Sequence, residues 1–258
     1  MKSPLDKRVA LITGASAGIG RATALELARL GAAVVVVARR EEKVLELARE
    51  IVKTGGKAVG VAGDMAKQED IERVMEVAKG FAAGIGWRLD TVIVNAGRGL
   101  AGGLLGSDEK QWREMVELNV IGAALLMRRA GEFLLAQGAN EGFAGDIVVL
   151  GSASGHNVSP FSGFYGSTKF AISGMTEAFR REVCAKGLRV TLLLPGIVKS
   201  EFQGVAGYTP ENFYKNIERF GKLLEPEDIA RVIGNVVVQP GHVHINEIVI
   251  RPTGQDYP

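Results

Sequence analysis

The sequence predicts an α/β fold in which helices cover both faces of a parallel sheet. Two observations support this fold class. Short runs rich in β-branched residues alternate with longer segments of helical periodicity, and the short runs are apolar at successive positions. The chain has no internal repeat and no change in composition that marks a second domain, so we expect one domain over residues 1–258.

The predicted elements follow one another in regular alternation. Strands are expected at residues 9–13, 33–37, 57–62, 91–94, 146–150, 189–194 and 247–251. Helices are expected at residues 19–30, 41–54, 68–83, 108–137, 163–186 and 227–238. Gly31 stands where a left-handed residue can end the first helix, and Pro226 stands where the last helix begins and a missing N–H costs little.

Composition and charge exclude several classes of protein. Hydrophobic residues make up 47% of the chain, yet no apolar run approaches the roughly 20 residues that cross a bilayer. Lys and Arg number 31 against 29 acidic residues, without a basic run, which predicts neither nucleic acid nor membrane as a partner. The first residues lack the pattern of a secretory signal, and the single cysteine, Cys184, fits a reducing compartment, so we expect a cytoplasmic protein.

A glycine-rich segment, TGASAGIG at residues 13–20, joins the first predicted strand to the first predicted helix. Backbone N–H groups and a helix N-terminus can approach a pyrophosphate there, because few side chains stand in the way. An ordinary strand–helix turn is the alternative, but the flanking strand and helix favour a dinucleotide site in a single Rossmann-type, doubly wound domain. The predicted cofactor contacts are Gly14, Ser16, Gly18, Ile19 and Gly20.

The end of the second strand decides between NAD and NADP. NAD-selective enzymes usually carry a carboxylate there for the ribose 2′-hydroxyl, whereas this chain carries Arg39 and Arg40. A guanidinium can pair with a 2′-phosphate through two hydrogen bonds, so we expect NADP(H), with Arg39 the first candidate and Arg40 the second. A solvated arginine pair is the alternative, although it does not explain the missing acid.

Two further strand ends fit the same ligand. Asp64 follows the third strand, where its carboxylate can accept a hydrogen bond from the adenine amino group. Asn95, Ala96 and Gly97 follow the fourth, where small residues let the backbone approach a ribose. Ordinary turn chemistry explains either segment alone.

The catalytic candidates lie at and before the start of a long helical segment. A spacing of four residues places Tyr165 and Lys169 on one helix face, where an ammonium can stabilise a phenolate whose pKa is otherwise about 10. Such a pair occurs by chance in many helices. Ser152, just past the fifth strand, strengthens the prediction because its hydroxyl can hold a substrate oxygen against Tyr165.

Together these motifs resemble the short-chain dehydrogenase/reductase family over nearly the whole chain. The family's TGxxxGxG motif matches residues 13–20, its NAG motif matches residues 95–97, and its PGxxxT segment matches residues 195–200, with serine in place of threonine. Its catalytic serine, tyrosine and lysine match Ser152, Tyr165 and Lys169, and its helix asparagine matches Asn119. The resemblance implies a seven-stranded parallel sheet, hydride transfer with a nicotinamide cofactor, and a homodimer or homotetramer built on the two long helices.

The resemblance also implies a role for each matching residue. Tyr165 exchanges the hydroxyl proton, and Ser152 polarises the carbonyl. Lys169 lowers the pKa of the tyrosine and binds the nicotinamide ribose, while Asn119 and a bound water connect Lys169 to solvent. The segment after the sixth strand contributes Pro195, Gly196, Val198 and Ser200, of which the Val198 backbone and the Ser200 hydroxyl hold the nicotinamide carboxamide.

The substrate is less closely defined. Residues 39–40, 225–230 and 246–253 resemble an NADP-dependent branch that oxidises serine and related small 3-hydroxy acids. A predicted substrate loop at about 200–224, however, holds no Arg or Lys between residue 201 and Lys215 to meet a carboxylate, and its apolar character favours a neutral ketone. Residues expected to border the substrate are His156, Phe161, Phe164 and Phe202, with a backbone-bonded loop histidine as the alternative for His156.

The sequence therefore predicts an NADP-dependent oxidoreductase that interconverts a small ketone and its alcohol. The alternatives are a small 3-hydroxy acid dehydrogenase, a cofactor-sensing regulator without turnover, and a nucleotide-sugar epimerase or dehydratase. No metal site is expected, since His242 and His244 have no third ligand nearby in the sequence.

Overall fold

The computed structural model describes residues 3–157, 160–207 and 217–257. Its centre is a seven-stranded sheet in the order β3-β2-β1-β4-β5-β6-β7, with every neighbouring pair parallel. The strands are β1 (Arg8–Thr13), β2 (Ala33–Ala38), β3 (Lys57–Ala62), β4 (Arg88–Val94), β5 (Gly145–Leu150), β6 (Leu188–Pro195) and β7 (Glu247–Ile250). The predicted doubly wound parallel sheet is confirmed, and the strand order reverses between β1 and β4, where such sheets bind ligands.

The helices connect successive strands. They are α1 (Gly18–Arg29), α2 (Glu41–Lys53), α3 (Gln68–Gly84), α4 (Trp112–Val116), α5 (Ala123–Ala136), α6 (Gly163–Val183), α7 (Phe202–Val205) and α8 (Pro226–Val237). As predicted, Gly31 is left-handed, with a φ of +100°, and Pro226 begins the last helix. The sheet separates two apolar layers, and along β1 Val9 and Leu11 face α3, α5 and α6 while Ala10 and Ile12 face α1, α2 and α8. No helix within the described ranges is long and apolar enough to cross a membrane.

Two predicted boundaries need correction. β4 begins at Arg88 rather than at residue 91, because a bulge between Val9 and Ala10 lets the first residues of β1 pair with Arg88 and Leu89 as well. The helix expected at 108–137 is interrupted by a π-helical turn, Glu117–Gly122, between α4 and α5. The backbone of Gly122 lies so close to the Met65 carbonyl oxygen that a Cβ atom would stand 1.8 Å from it. π-helical turns of this kind are frequent at functional sites.

A buried charge network closes the amino edge of the sheet. Arg8 on β1 donates to both carboxylate oxygens of Asp90 at 2.9 Å and to Asp146 at 2.8 Å, and Arg189 on β6 donates to Asp146 at 2.7 and 2.9 Å. The two aspartates keep the pKa of Arg8 above its ordinary value although burial opposes its charge. Both guanidinium groups lie over the ring of Phe143, 5.2 and 4.8 Å from its centroid. They also donate to backbone carbonyls at the end of α8 and just after it, so the network fastens the last helix to the sheet.

Candidate active site

A cavity of about 1040 Å³ opens at the carboxyl edge of the sheet. Most of the predicted site residues line it: Gly14, Ser16, Gly18, Ile19, Arg39, Arg40, Asp64, Asn95, Ala96, Gly97, Ser152, Phe161, Tyr165, Lys169, Pro195, Gly196, Val198, Ser200 and Phe202. Four others, Gly20, Asn119, His156 and Phe164, are not among the lining residues. The predicted substrate loop at 200–224 is described in part, since its residues 208–216 lie outside the described ranges.

The start of α1 is arranged for an anion. Its N-cap residue, Ala17, provides no side-chain hydrogen bond, and its first turn holds no acidic residue. The first turns of α2, α3 and α8, by contrast, all contain acidic side chains. Gly14 and Gly18 adopt left-handed φ angles of +67° and +53° in the turn that leads to α1. The N–H groups at this helix start are therefore left to bind a negatively charged group such as a pyrophosphate.

Gly20 and Asn95 shape the cofactor turn from behind. The Asn95 side-chain nitrogen donates to the carbonyls of Thr13 at 2.8 Å and Gly14 at 3.3 Å. A Cβ atom on Gly20 would lie 2.4 Å from the Gly14 oxygen and 2.6 Å from the Asn95 side-chain nitrogen. The Thr13 hydroxyl completes the junction by accepting from the backbone N–H groups of Asn95 and Ala96 at 3.1 Å. These contacts hold the ends of β1 and β4 together beneath the cavity.

The two arginines after β2 differ in their partners. Arg39 is exposed, lines the cavity and makes no hydrogen bond or ion pair with any described residue. Arg40 donates to the Ser16 hydroxyl at 2.9 Å and pairs with Glu201 at 3.0 Å. Asp64 lines the same end, and its carboxylate accepts from the Ala66 N–H at 3.1 Å. Arg39 is thus the cation that a phosphate can meet without displacing another partner.

Lys169 carries a buried charge toward the catalytic end of the cavity. Its ammonium donates to the Leu150 carbonyl at 2.8 Å and lies 5.8 Å from the centre of the Tyr165 ring, one turn earlier on α6. No carboxylate in the described part of the chain pairs with it. Burial lowers the pKa of Lys169 from its ordinary value of 10.5 to about 8. Ser152 lines the cavity nearby, and its hydroxyl accepts from the Ser154 N–H at 3.1 Å.

Asn119 lies behind this end of the cavity, on the π-helical turn. Its side-chain oxygen accepts from the Arg98 N–H and its nitrogen donates to the Arg98 carbonyl, both at 2.9 Å. The same nitrogen lies 3.2 Å from the Thr168 hydroxyl. A Cβ atom on Gly97 would lie 3.2 Å from the Asn119 oxygen and 3.8 Å from the Lys169 nitrogen, so both polar groups border Gly97.

The segment after β6 already binds a carboxamide. The side-chain amide of Gln203 donates to the Val198 carbonyl and accepts from the Ser200 N–H at 3.0 Å. Its oxygen also lies 3.4 Å from the Ser200 hydroxyl. Because Val198 and Ser200 line the cavity, these groups are spaced to hold the same functional group in a ligand.

The mouth of the cavity is apolar. Phe202 lies 5.7 Å from Tyr165 between ring centres, and Phe161 is 73% exposed at the edge. Leu104, Leu105 and Val205 are exposed as well. Backbone hydrogen bonds of 2.7 Å connect the loop that carries the two leucines to residues 161 and 206, so three loops form one rim.

Phe164 and His156, both expected to border the substrate, do not line the cavity. The ring of Phe164 stacks on Trp112, with 4.6 Å between centroids and 9° between planes. His156 turns toward Glu247 on β7, with 3.4 Å between its Nε2 atom and the carboxylate. Both positions are close to Tyr165 in sequence, but their side chains point to neighbours outside the cavity.

Several lining residues were missed by sequence reasoning. Arg98 follows the Asn95–Gly97 motif directly and pairs with Glu114 and Gln111. Arg219 lies beyond residues 201–214, which contain no Arg or Lys, and it pairs with Asp256 at 3.1 Å. Phe220, Gln255 and Tyr257 also line the cavity. Adjacency to a motif was the only sequence signal for Arg98, and the other residues had none.

Known proteins resemble this chain in sequence and in fold. Residues 8–209 match the family described as short chain dehydrogenase. The human dehydrogenase/reductase SDR family member 11 is 33% identical over 255 residues, which cover 96% of this chain and 95% of that protein. A serine dehydrogenase complexed with NADP⁺ superposes with a TM-score of 0.83 at 25% identity, over 96% of both chains. A 3-ketoacyl-(acyl-carrier-protein) reductase from Brucella melitensis complexed with NADH superposes equally well, at 0.83 and 26% identity, over 95% of this chain and 97% of that one.

Proposed function

This chain belongs to the short-chain dehydrogenase family and is an NAD(P)-dependent oxidoreductase, and we propose that it interconverts a small neutral ketone and its alcohol with NADP(H). The observation that carries the proposal is that one cavity brings three sets of groups together. They are Arg39 and the start of α1, the carboxamide-binding segment after β6, and Tyr165 with Ser152 and Lys169.

The residues present fit a bound NADP(H). Arg39 would pair with the 2′-phosphate, and the N–H groups at the start of α1 would bind the pyrophosphate. Val198 and Ser200, which hold the Gln203 amide, would hold the carboxamide. When bound, the nicotinamide supplies or accepts a hydride at the substrate carbon.

The protein's own groups manage the oxygen of the substrate. The Ser152 hydroxyl donates to that oxygen and fixes its position, and Tyr165 gives or takes its proton. The Lys169 ammonium favours the ionised phenol, and it acts strongly because it is buried and no described carboxylate neutralises it. Asn119 keeps the Arg98 backbone in place beside Gly97 and so shapes the route by which Lys169 exchanges protons with solvent.

The charges and apolar surfaces of the cavity favour a neutral substrate. Apart from Lys169, which lies beside Tyr165, the described cations that line the cavity away from the 2′-phosphate site already have carboxylate partners. Arg98 pairs with Glu114 and Arg219 pairs with Asp256. A substrate carboxylate has to compete with those partners and lose its own hydration. The exposed rim around Phe161 and Val205 instead offers apolar contact to a substituent on the ketone.

A small 3-hydroxy acid is the second candidate. The position of Arg219 at the cavity wall supports it, as does the structural likeness to a serine dehydrogenase. Comparison of kcat/KM for a 3-oxo acid and its neutral ester, each with NADPH, tests the choice. We expect the ester to be preferred at least ten-fold. If the acid is preferred and Arg219→Gln removes the preference, the hydroxy-acid function replaces the neutral one.

We also propose that the enzyme associates through its two long helices. These helices are α5 and α6. Two large apolar side chains are exposed on or next to them, Ile121 on the π-helical turn before α5 and Phe170 on α6. Light scattering after gel filtration should show a dimer or tetramer in solution. A monomer at micromolar concentration would contradict the proposal.

A further inference from the structure

Residues beyond β7 turn back and pack under the active-site cavity. The Gln255 N–H donates to the Pro252 carbonyl at 2.9 Å, which closes a turn. Gly254 then lies against the backbone of Phe220, where a Cβ atom would stand 2.6 Å from the Phe220 oxygen. This packing leaves Gln255 only 7% exposed and places its side chain beside the loop that follows β6.

The Gln255 amide holds the first peptide of that loop. Its oxygen accepts from the Ile197 N–H at 2.9 Å, and its nitrogen donates to the Tyr257 carbonyl at 3.4 Å. The preceding N–H, that of Gly196, donates to the Ile250 carbonyl at 2.7 Å. A Cβ atom at 196 would lie 2.3 Å from the Gln255 oxygen, so a side chain there would displace the Gln255 amide. Two successive N–H groups are therefore fixed by the chain's last strand and by the turn after it.

The fixed peptide leads directly into the carboxamide-binding groups. Val198 follows Ile197, and its carbonyl is one of the two groups that hold the Gln203 amide. On the other side, the Ile197 carbonyl accepts from Leu224 at 3.2 Å and the Lys199 N–H donates to Leu224 at 2.8 Å. Without the Gln255 oxygen, the Ile197 N–H loses its partner, and the Gly196–Ile197 peptide loses the bond that fixes its orientation.

We infer that Gln255 is a positioning residue for the nicotinamide half of the cofactor, an inference that rests on the proposed function. It acts through the Gly196–Ile197 peptide, which it holds so that Val198 and Ser200 face the carboxamide. Among the described residues its side chain makes no hydrogen bond to β1, α1 or β2, which build the phosphate end. Loss of Gln255 should therefore weaken binding of the nicotinamide half of the cofactor and leave binding of the phosphate half unchanged.

Calorimetric titration with two ligands tests this separation. NADPH contains the nicotinamide, and adenosine 2′,5′-bisphosphate carries only the phosphate-end groups. In Gln255→Leu we expect the Kd for NADPH to rise about ten-fold, as for one mispositioned hydrogen-bonding contact. The Kd for the bisphosphate should change less than two-fold. Gln255→Glu keeps an oxygen acceptor for the Ile197 N–H, and we expect it to restore most of the NADPH affinity.

A matched control separates positioning from general loss of stability. Gln137→Leu removes another glutamine that bonds a backbone carbonyl, that of Leu89 at 2.9 Å, at the amino edge of the sheet. It should leave both affinities unchanged. If Gln255→Leu weakens both ligands equally, or neither, or if the glutamate variant does not recover NADPH binding, the inference is wrong. If the wild-type protein binds neither ligand, the proposed function fails instead, and the two failures are distinct.

Discussion

The two edges of the sheet use polar groups in opposite ways. At the amino edge, Arg8, Asp90, Asp146 and Arg189 neutralise one another and also bond to backbone carbonyls. At the carboxyl edge, Lys169 is buried with a single carbonyl partner, and Arg39 has no described partner at all. Charged groups whose bonds are complete within the fold stabilise it, whereas charged groups left incomplete are available to a ligand. Completeness of pairing, rather than burial alone, distinguishes the two edges.

The largest expected effect is at the carboxyl edge. Tyr165→Phe removes the group that exchanges a proton with the substrate oxygen, so we expect kcat to fall about 10³- to 10⁴-fold. The free energy of unfolding should be nearly unchanged, because the ring is kept. Ser167→Ala is the control, since it removes a hydroxyl on the same helix that bonds the Gly163 carbonyl, and it should retain activity. Full turnover in Tyr165→Phe would exclude Tyr165 as the proton-exchanging group, and loss of turnover with all function in cells retained would revive a regulator without turnover.

At the amino edge, a substitution should lower the free energy of unfolding by a comparable energy and leave turnover nearly unchanged. Asp146→Asn removes the carboxylate that pairs with Arg189 and one of the two that pair with Arg8, so we expect a loss of about 3–5 kcal/mol in the free energy of unfolding. Turnover per folded molecule should remain within two-fold. Urea denaturation and active-site titration measure the two quantities. Glu132→Gln, which breaks exposed ion pairs with Arg128 and Arg129, should leave the unfolding midpoint in place.

Lys169→Met should move activity and stability in opposite directions. Because burial lowers the pKa of Lys169 to about 8, the folded protein at neutral pH carries an unfavourable buried charge. Removing it should raise the free energy of unfolding of the cofactor-free protein by about 1–3 kcal/mol, while turnover is lost.

The pH dependence of this gain is also fixed in sign. Between about 8 and 10.5 the unfolded chain holds the Lys169 proton and the folded chain does not, so wild-type stability rises with pH across that window. The advantage of Lys169→Met should therefore be full below pH 8 and disappear above 10.5. Thermal unfolding at a series of pH values measures it, with the exposed Lys110→Met as control. A gain that does not vary with pH would mean that better packing, rather than charge, is responsible.

The smallest expected effect concerns cofactor choice. Arg39→Asp should lower kcat/KM with NADPH about 10- to 100-fold, since a charged hydrogen bond contributes about 1.5–3 kcal/mol. Activity with NADH should be kept or improved, because the new carboxylate can accept from the ribose hydroxyls. Arg49→Ala removes an exposed arginine of α2 that does not line the cavity, and it should leave the NADPH-to-NADH ratio unchanged. An unaltered ratio in Arg39→Asp would transfer the phosphate contact to Arg40.

Much of the fold could be predicted because it depends on local signals. Apolar runs marked every strand of the sheet, and Gly31 and Pro226 marked two helix boundaries correctly. At the π-helical turn, Gly122 lies against the Met65 carbonyl, a tertiary contact that no local pattern in the sequence shows. The bulge that lengthens β4 likewise depends on pairing with β1.

The same distinction between local signals and tertiary contacts applies to the candidate site. Residues in motifs that follow a strand directly, such as Ser152 and Val198, were placed at the cavity because parallel strands all end at one edge. His156 and Phe164 were expected there because they are close to Tyr165 in sequence, and neither lines it, since closeness in sequence does not determine where a side chain points. Gln255 reaches the site from 58 residues beyond Ile197, and no local pattern announces such a contact.

The bond between Asn95 and Thr13 also bears on the lifetime of the protein. It joins positions 82 residues apart, so the cofactor crevice exists only after β1 and β4 have paired. A ligand that recognises the paired arrangement acts after the slow step of folding, and we expect it to slow unfolding while leaving the folding rate unchanged. Molecules that carry the dinucleotide then persist longer against proteases than those without it. The concentration of dinucleotide in the cell would thereby influence how much of this enzyme accumulates.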